Sequence, residues 1–339
     1  MQPAPTVIAA LLAGCAASPE PATGPELTGE TFSIAWGPLE IEPGGEGTRC
    51  VTLDVGNATA VQIHQLHNEL AASSHHLIVY RLDDPAAVVS PEPVECTPFA
   101  GTLSPSAGAV PLMITQKHDD LLDLPSGVGY TFAPNQKIRL ELHYFNATDQ
   151  VATAQATSTF AVGTPELIHD EASFLFIGTP DIELAPGSMS TVAAYFTLPP
   201  ALAESNFYAI TGHTHALGTG VRVATAPSRE GERTSVYGPA PFLWSEPATE
   251  YHAPAFQLPE GGGFDFACDF HNVTSATVTF GESATDEMCF FWAYYYPSQG
   301  ARMCVHSTIV GGPDGLDVCC PADRGDSLSE YVCAQLAGE

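Results

Sequence analysis

The chain has 339 residues, enough for two domains of ordinary size, and 45% of them are hydrophobic, as is usual for a globular protein. Its 39 acidic residues against 10 basic residues give a formal net charge of −29, which argues against nucleic acid and anionic membranes as partners. No run of about 18 apolar residues is present, so no membrane-spanning helix is expected. We interpret the acidity as a solvated surface, with attraction of cations as the alternative.

Residues 1–15 are predicted to be an export signal rather than part of the fold. A short apolar run ends in Leu-Ala-Gly-Cys at Cys15, which resembles a bacterial lipoprotein cleavage box, in which Cys15 would be lipidated and become the mature N-terminus. Residues 1–5 contain no Lys or Arg, so an ordinary export signal with an unlipidated cysteine is the alternative. Residues 16–29, rich in Ala, Pro, Glu and Gly, are predicted to be a flexible tether. We therefore expect an exported protein of the bacterial cell envelope, lipid-anchored or periplasmic or extracellular.

From residue 30 onward, short patterns of alternating apolar and polar residues recur every 8 to 12 residues or so, separated by turn signals. This predicts an all-β protein of two tandem antiparallel, jelly-roll-like β-sandwich domains, over residues 30–164 and 165–305, with a short disulfide-rich tail over 306–339. Strands are predicted at residues 32–36, 39–41, 50–55, 60–70, 77–80, 137–145, 191–198, 219–225, 264–271, 274–281 and 288–296.

Two histidines stand two residues apart in the sequence Ile-Thr-Gly-His-Thr-His-Ala-Leu-Gly. The preceding residues 206–211 are β-prone, and positions i and i+2 of a strand project from the same face. His213 and His215 can therefore reach one metal ion. The same spacing is also typical of solvent-exposed strands, so the interpretation depends on further ligands.

Four further residues are candidate ligands. His75 and His76 precede the apolar run Leu-Ile-Val-Tyr, His143 lies on a strictly alternating strand, and Met288 precedes an aromatic one. Neighbouring histidines can both face one ion only at a strand start or a β-bulge. Imidazole binds zinc or copper, but a neutral thioether selects Cu(I). The alternatives are a polar strand end for the histidine pair and core packing for the methionine.

The strand at residues 137–145 places His143 off its more apolar face. We therefore expect His143 to lie near solvent. Glu141 shares that face and is expected to orient a ligand imidazole.

Four segments, in this order, resemble the copper type II, ascorbate-dependent monooxygenases, the family of dopamine β-monooxygenase and peptidylglycine α-hydroxylating monooxygenase. The family pattern is a His-His pair, a Leu-Glu-Val-His-Tyr-like strand, His-Thr-His and Glu-Met-Cys. The chain has His-His at 75–76, Leu-Glu-Leu-His-Tyr at 140–144, His-Thr-His at 213–215 and Glu-Met-Cys at 287–289. The resemblance spans roughly residues 45–305, and four motifs in order are a specific signal.

The resemblance implies two copper ions per chain, one in each domain, separated by a solvent-filled cleft. The electron-donating copper would be held by His75, His76 and His143. The copper that reacts with dioxygen would be held by the implied catalytic residues His213, His215 and Met288. Ascorbate or another one-electron donor would reduce both ions. One oxygen atom would enter a C–H bond of a small organic substrate, and the other would leave as water.

Eight cysteines remain besides Cys15: Cys50, Cys96, Cys268, Cys289, Cys304, Cys319, Cys320 and Cys333. An even set in an exported chain predicts disulfides, but eight cysteines allow 105 pairings. The family resemblance implies the pairs Cys50–Cys96 and Cys268–Cys289, which leaves the last four to pair within the tail. A zinc site built on the tail cysteines is the alternative.

The chain departs from part of the family pattern at the positions expected to contact substrate. Peptide-amidating members have an arginine two residues before His-Thr-His, where this chain has Thr211. They have polar Asn and Tyr residues shortly after the methionine, where it has Phe290 and Trp292. A glycine-extended peptide is therefore not expected. These three positions are the candidate substrate contacts, and the aromatic pair predicts a more apolar or aromatic substrate.

Three functions remain open: a copper monooxygenase, a non-catalytic copper-binding surface lipoprotein, and a structural β-sandwich with degenerate sites. An enzyme needs a substrate pocket and a supply of reductant, whereas a copper-binding protein needs only the ligands. The presence of all six ligand types in order favours the enzyme. Its expected partners are a small-molecule substrate and dioxygen, with no nucleic acid, and a membrane only through a lipid on Cys15. The oligomeric state is left open.

Overall fold

In the computed structural model of the chain, residues 27–99, 108–281, 283–309, 315–321, 329–331 and 333 are described. The predicted signal segment, with Cys15, lies outside them. The strands of the first half are β1 (Leu27–Ile41), β2 (Glu46–Asp54), β3 (Val61–Leu70), β4 (Ser74–Leu82), β5 (Ser90–Glu95), β6 (Ala109–Thr115), β7 (Asp119–Asp123), β8 (Val128–Phe132), β9 (Lys137–Phe145), β10 (Ala152–Gly163) and β11 (Asp170–Glu171).

The second half adds twelve strands. They are β12 (Ser173–Thr179), β13 (Glu183–Leu184), β14 (Ser188–Thr197), β15 (Asn206–His213), β16 (Gly218–Ala226), β17 (Thr234–Tyr237), β18 (Thr249–Phe256), β19 (Gly263–Asn272), β20 (Val278–Thr279), β21 (Cys289–Tyr296), β22 (Arg302–Ser307) and β23 (Leu316–Cys320). Two single-turn 3₁₀ helices, Pro165–Leu167 and Pro200–Leu202, join strands. No helix among the described residues is long and apolar enough to span a membrane.

The first half is built from two sheets. One has the order β1-β10-β3-β8-β11 with β7 also paired to β3, and the other has the order β5-β2-β9-β4-β6. All pairs are antiparallel except the short pair β11–β8. Apolar residues from both sheets, such as Trp36, Phe160 and Leu140, are buried in one cluster. The predicted all-β sandwich architecture is confirmed here.

The second half repeats this plan. A six-stranded sheet of order β18-β15-β21-β12-β22-β23 packs against a four-stranded sheet of order β14-β19-β16-β17, and β13 pairs with β20. The two central strands of the larger sheet are apolar on both faces. Phe176 and Trp292 belong to the core shared with the first half, whereas Ile177 and Phe291 belong to the core between the two sheets of the second half. Doubly buried strands explain the continuous apolar runs that replace alternation here.

The two halves are joined by strand pairing across the predicted domain boundary. β10 ends at Gly163, at the predicted domain boundary, but β11 at Asp170–Glu171 pairs in parallel with β8 of the first half. Arg81 and the backbone of Thr131 also bind the Glu171 carboxylate. The first sheet therefore receives its edge strand from beyond residue 164, and the exact division of the domains stays a prediction.

Two equivalent turns show that the halves share local structure as well as architecture. Asn146, after β9, donates both amide hydrogens to backbone carbonyls of Ile41 and Gln150. Asn272, at the end of β19, does the same to Leu184 and Ala276. Both side chains are completely buried. These Asn-x-Thr sequences therefore organise turns, since their amide nitrogens face the protein interior and have no free hydrogen.

Four disulfides join the strands. Cys50–Cys96 links β2 to the segment after β5, and Cys268–Cys289 links the two sheets of the second half through β19 and β21. These are the two pairs that the family resemblance implies. The tail cysteines pair as Cys304–Cys319 and Cys320–Cys333. The alternative of a zinc site on tail thiols is wrong, because these sulfurs are already paired.

Candidate metal centre

The first three candidate ligands lie on two neighbouring strands, β4 and β9. Ser74 pairs with Tyr144, and His76 pairs with the next residue, His143, so that His75 is the extra residue of a β-bulge. The predicted bulge is confirmed. It has a direct consequence, because on a regular strand His75 and His76 would point to opposite faces of the sheet.

The three imidazoles of this cluster, hereafter the N-terminal cluster (His75, His76 and His143), converge on one point. Each offers a ring nitrogen that lies within 4.8 Å of the other two. The Nδ1 atoms of His75 and His76 are 3.2 Å apart. Two nitrogens that bind one tetrahedral ion at about 2.0 Å lie about 3.3 Å apart. The cluster therefore fits a single metal ion bound by these nitrogens.

A hydrogen bond decides which nitrogen of His143 faces the ion. Its Nε2 lies 3.1 Å from Oε1 of Glu46, and a carboxylate can only accept. Nε2 therefore carries the proton, and Nδ1 is left free as a ligand, the usual arrangement of a metal-binding histidine with its orienting carboxylate. Glu141 instead accepts a hydrogen bond from the backbone of Phe99. His143 is also only 7% exposed, so the expectation that it lies near solvent is wrong.

The N-terminal cluster is held in its neutral form. Burial, helped by repulsion from His143 and His215, lowers the pKa of His75 to about 3. Burial first and then the neighbouring histidines lower the pKa of His76 well below its usual value. For His143, burial outweighs the opposing effect of Glu46, and its pKa is also lowered. Neutral imidazole is the form that binds a metal ion.

The remaining candidate ligands, hereafter the C-terminal cluster (His213, His215 and Met288), come from β15 and the start of β21. These strands are antiparallel neighbours, and His213 lies opposite Phe290. Continuing that register by two residues brings Met288 opposite His215. His213, His215 and Met288 are 3%, 5% and 3% exposed, respectively. The three candidate ligands are therefore buried near the same end of this sheet, where β15 ends and β21 begins.

Hydrogen bonds fix the proton on Nδ1 of both histidines in this cluster. Nδ1 of His213 donates to Oε1 of Gln116, and Nδ1 of His215 donates to the carbonyl of Asp286, both at 2.9 Å. Nε2 of His213 is buried and has no hydrogen-bond partner among the described residues. A buried imidazole nitrogen that carries no proton and no hydrogen bond fits the donor that a metal ligand needs. Burial lowers the pKa of both histidines, so these too are neutral.

Glu287 fastens the two ligand-bearing segments together. Its carboxylate accepts the backbone N–H groups of His215, at 2.9 Å, and Leu217, at 2.7 Å. The side chain is completely buried, and burial raises its pKa to about 7, although the backbone N–H groups that it accepts oppose this rise. The Glu of the Glu-Met-Cys motif therefore fixes the histidine loop relative to the strand that carries Met288.

The two clusters face each other across the junction of the halves. Gln116, from the first half, binds His213 of the second. Glu46, which orients His143, also accepts the backbone N–H of Ala284 at 3.2 Å. Histidines of one cluster lower the pKa values of the other through charge repulsion. In this conformation the described residues thus place the two clusters on one interface with most of their side chains buried, and the solvent-filled cleft that the resemblance implies stays a prediction.

The three candidate substrate residues lie on the same sheet as His213. Thr211 is buried and its hydroxyl lies 2.9 Å from that of Thr249. The Trp292 ring lies 5.8 Å from the His213 ring. Phe290 is 1% exposed, and its ring stacks on Phe176 at 4.7 Å. Both aromatic residues thus lie beside His213, Trp292 through its ring and Phe290 as the paired residue on β21, and both are buried among core side chains.

Four groups around the clusters were not predicted from the sequence. They are Glu46, Gln116, the carbonyl of Asp286, and Trp244, whose ring lies 6.0 Å from His75. Glu46 and Gln116 are each 97 residues from the histidine that they bind. No local pattern marks such partners. The only signal was the charged segment around Gln116, which follows β6 and precedes β7.

Residues 189–310 match the family model described as copper type II ascorbate-dependent monooxygenase, C-terminal domain. This stretch of the chain therefore resembles that C-terminal domain, in agreement with the resemblance that His-Thr-His and Glu-Met-Cys indicate. The matched region contains the whole C-terminal cluster. The comparison with curated proteins found no match.

Solved structures gave only distant similarities. The chain is similar to the major capsid protein P2 from bacteriophage PM2, with 8% identity, a TM-score of 0.38, and coverage of 80% of this chain and 100% of that chain. It is also similar to a chain from Sulfolobus Turreted Icosahedral Virus, with 11% identity, a TM-score of 0.30, and coverage of 80% and 89%. At these scores, neither similarity carries an argument about this protein.

Proposed function

We propose that the chain is a copper- and ascorbate-dependent monooxygenase that hydroxylates a C–H bond of a small organic substrate. The observation that carries the proposal is the pair of complementary ligand sets, three imidazoles on one side of the interface and two imidazoles with a thioether on the other. The family match to residues 189–310 supports it. When bound, two copper ions would supply the two electrons that reduce dioxygen to one inserted oxygen atom and one water molecule.

The chain's own residues prepare both clusters for this chemistry. Protons are fixed on Nε2 of His143 and on Nδ1 of His213 and His215 by their hydrogen-bond partners. Nδ1 of His143 and Nε2 of His213 then carry no proton and can bind an ion. Met288 contributes the soft donor that favours Cu(I). Burial excludes water from the C-terminal cluster, which protects reactive species from side reactions.

The substrate side of the proposal rests on Trp292 and Thr211. The Trp292 ring beside His213 provides an apolar surface, and the chain has no arginine at the position of Thr211 to bind a carboxylate. We therefore propose an apolar or aromatic substrate and not a glycine-extended peptide. A screen in which only carboxylated, polar compounds were hydroxylated would contradict this choice.

We further propose that the protein is exported and attached to the bacterial cell envelope through a lipid on Cys15. The lipoprotein-like Leu-Ala-Gly-Cys sequence and the four disulfides support export. Mass spectrometry of the mature N-terminus tests it directly. A diacylglycerol-modified Cys15 is expected, whereas an unmodified N-terminus would point to an ordinary export signal.

The test of the enzymatic proposal is ascorbate-dependent oxygen uptake by the copper-loaded chain with a panel of aromatic and aliphatic amines. Uptake equal to the amount of hydroxylated product is expected in the native chain and not in Met288→Ala. Met189→Ala is the matched control, because Met189 is 79% exposed on β14. Product formation that persists in Met288→Ala would contradict the assigned ligand set.

A non-catalytic copper-binding protein is the second candidate, and the burial of His213 and His215 favours it. Both side chains are at most 5% exposed among the described residues, so little of either is accessible to a substrate in this conformation. Two tightly bound copper ions without coupled oxygen uptake across the panel would support this candidate. Hydroxylated product would exclude it.

A further inference from the structure

The segment after β5 contains a residue with a strained backbone. Phe99 has a φ of 53°, in the left-handed region that bulky side chains rarely adopt. It is only 7% exposed and belongs to the hydrophobic core. A backbone conformation of this kind persists only where the surrounding contacts enforce it, and such residues concentrate at functional sites. The contacts of Phe99 therefore indicate what its position serves.

Two anchors fix the position of Phe99. Its backbone N–H donates to Oε1 of Glu141 at 2.6 Å. Glu141 is completely buried on β9, two residues before His143. The second anchor is the disulfide Cys50–Cys96, which joins β2 to the chain three residues before Phe99. Since Cys50 lies opposite Glu141, both anchors hold Phe99 to the same part of β9, the strand that carries His143.

The ring of Phe99 packs against a candidate ligand. Its centroid lies 5.3 Å from that of the His76 ring, and the two planes are tilted by 33°. The other rings next to His76 among the described residues are His75 and His143, which are candidate ligands themselves. Glu46 orients His143 through a hydrogen bond, and Phe99 is the corresponding contact for His76, made by packing. It restricts the rotation of an imidazole whose Nδ1 faces that of His75.

The second half of the chain contacts the same ring across the interface. Phe176, on β12, stacks with Phe99 at 6.3 Å and an interplanar angle of 18°, and Phe176 in turn stacks on Phe290 at 4.7 Å. All three side chains are at most 7% exposed. Phe99 therefore contacts a candidate ligand of the first half and the core of the second half at once. Close packing in this position leaves its ring few alternative rotamers.

We propose that Phe99 is a positioning residue of the N-terminal cluster, that its ring sets the orientation of the His76 imidazole, and that Glu141 acts through it. The inference rests on the proposed function, because it concerns the copper ion that this cluster would bind. Neighbours that fix a ligand ring contribute to metal affinity and to the geometry of the bound ion. Glu141 thereby orients a ligand imidazole through a second residue, which its position on β9 alone did not reveal.

Changing Phe99 tests the proposal in a full chain that binds a single copper ion. In a His215→Ala background, the Cu(II) signal in electron paramagnetic resonance comes from the N-terminal cluster alone. Phe99→Leu keeps a bulky apolar side chain but removes the flat ring. We expect a changed copper hyperfine splitting and a copper affinity about 10-fold lower, by competition with a chelator. Phe160→Leu is the matched control, because Phe160 is completely buried in the same half and its ring packs on Phe132. It should leave both quantities unchanged.

Variants of Glu141 test whether it acts through the ring. Glu141→Gln keeps an oxygen that can accept the N–H of Phe99 and should retain the native spectrum, whereas Glu141→Leu should reproduce that of Phe99→Leu. The double variant should bind copper no more weakly than Phe99→Leu alone, since the two residues act in series.

Three outcomes would overturn the proposal. A native spectrum and affinity in Phe99→Leu would remove the role of the ring, and equal changes in Phe160→Leu would reduce it to general packing of the core. Additive losses in the double variant would show that Glu141 acts independently of Phe99. A native chain that binds no copper overturns the proposed function instead.

Discussion

The two clusters offer different donor atoms to a metal ion. The N-terminal cluster offers three imidazoles, and its His143 is oriented by a carboxylate, Glu46. The C-terminal cluster offers two imidazoles and a thioether, and its histidines are oriented by the neutral oxygens of Gln116 and Asp286. A carboxylate partner increases the basicity of its imidazole, and a thioether favours Cu(I). The two clusters therefore offer unequal donor sets, one of three imidazoles and one that includes the soft donor favouring the reduced ion.

They also differ in which nitrogen is left free. The hydrogen bonds fix the proton on Nε2 of His143 but on Nδ1 of His213 and His215. The bulge at His75 is what brings two adjacent imidazoles to one ion in the first cluster. In the second, the i, i+2 spacing on β15 needs no bulge. In each cluster, the local backbone conformation determines which histidine side chains face the same point.

The largest effect should come from removing one ligand from each cluster. His143→Ala and His215→Ala should each lose one of two copper ions, and turnover should fall more than ~100-fold, because even orienting partners of ligands are worth about 10- to 100-fold. Metal analysis and oxygen uptake measure the two quantities. The exposed His271, changed to Ala, should keep both ions. A ligand variant that still binds two ions would break the division into clusters.

Removing a disulfide beside one cluster should have the next largest effect. Changing both Cys268 and Cys289 to Ser should lower the free energy of unfolding by about 2–5 kcal/mol, measured by denaturant titration. Because Cys289 follows Met288 directly, the affinity of the C-terminal cluster for copper should also fall. The matching change of Cys50 and Cys96 should instead act on the N-terminal cluster, since Cys50 lies opposite Glu141 on β9. If either change lowered the copper affinity of both clusters equally, the idea that each disulfide supports only its neighbouring cluster would be contradicted.

Variants of the two orienting residues should have a smaller effect on copper affinity, and each should affect a different cluster. Glu46→Ala should lower the copper affinity of the N-terminal cluster by about 10- to 100-fold. Gln116→Leu should lower that of the C-terminal cluster by about the same factor. Each variant leaves the ligands in place but removes the acceptor that fixes the imidazole proton. Competition with a chelator of known affinity resolves the two ions. If each variant weakened both ions alike, the two clusters would have to be treated as one coupled site.

The candidate ligands could be named from the sequence because each motif is local. His-Thr-His on β15 and the bulge at His75 depend on neighbouring residues alone, and the all-β architecture follows from repeated short alternation. The orienting partners could not be predicted, because Glu46 and Gln116 lie 97 residues from their histidines and meet them only through tertiary packing. The expected exposure of His143 failed for the same reason: β9 is the central strand of its sheet and is covered on both faces.

The smallest effect concerns the interface that holds the clusters together. The Tyr251 hydroxyl donates to the carbonyl of Leu121 at 2.7 Å across the halves. Tyr251→Phe removes this bond, which is worth about 0.5–1.5 kcal/mol. Because Tyr251 is 48% exposed, water can replace its partner, and we expect a loss of stability near the lower bound in denaturant titration. Copper affinity at both clusters should not change, since neither ligand set is touched. Tyr331→Phe, with a side chain that is 64% exposed, is the control. A change in copper affinity would show that the interface itself tunes the two centres, and that their difference is not set by their ligands alone.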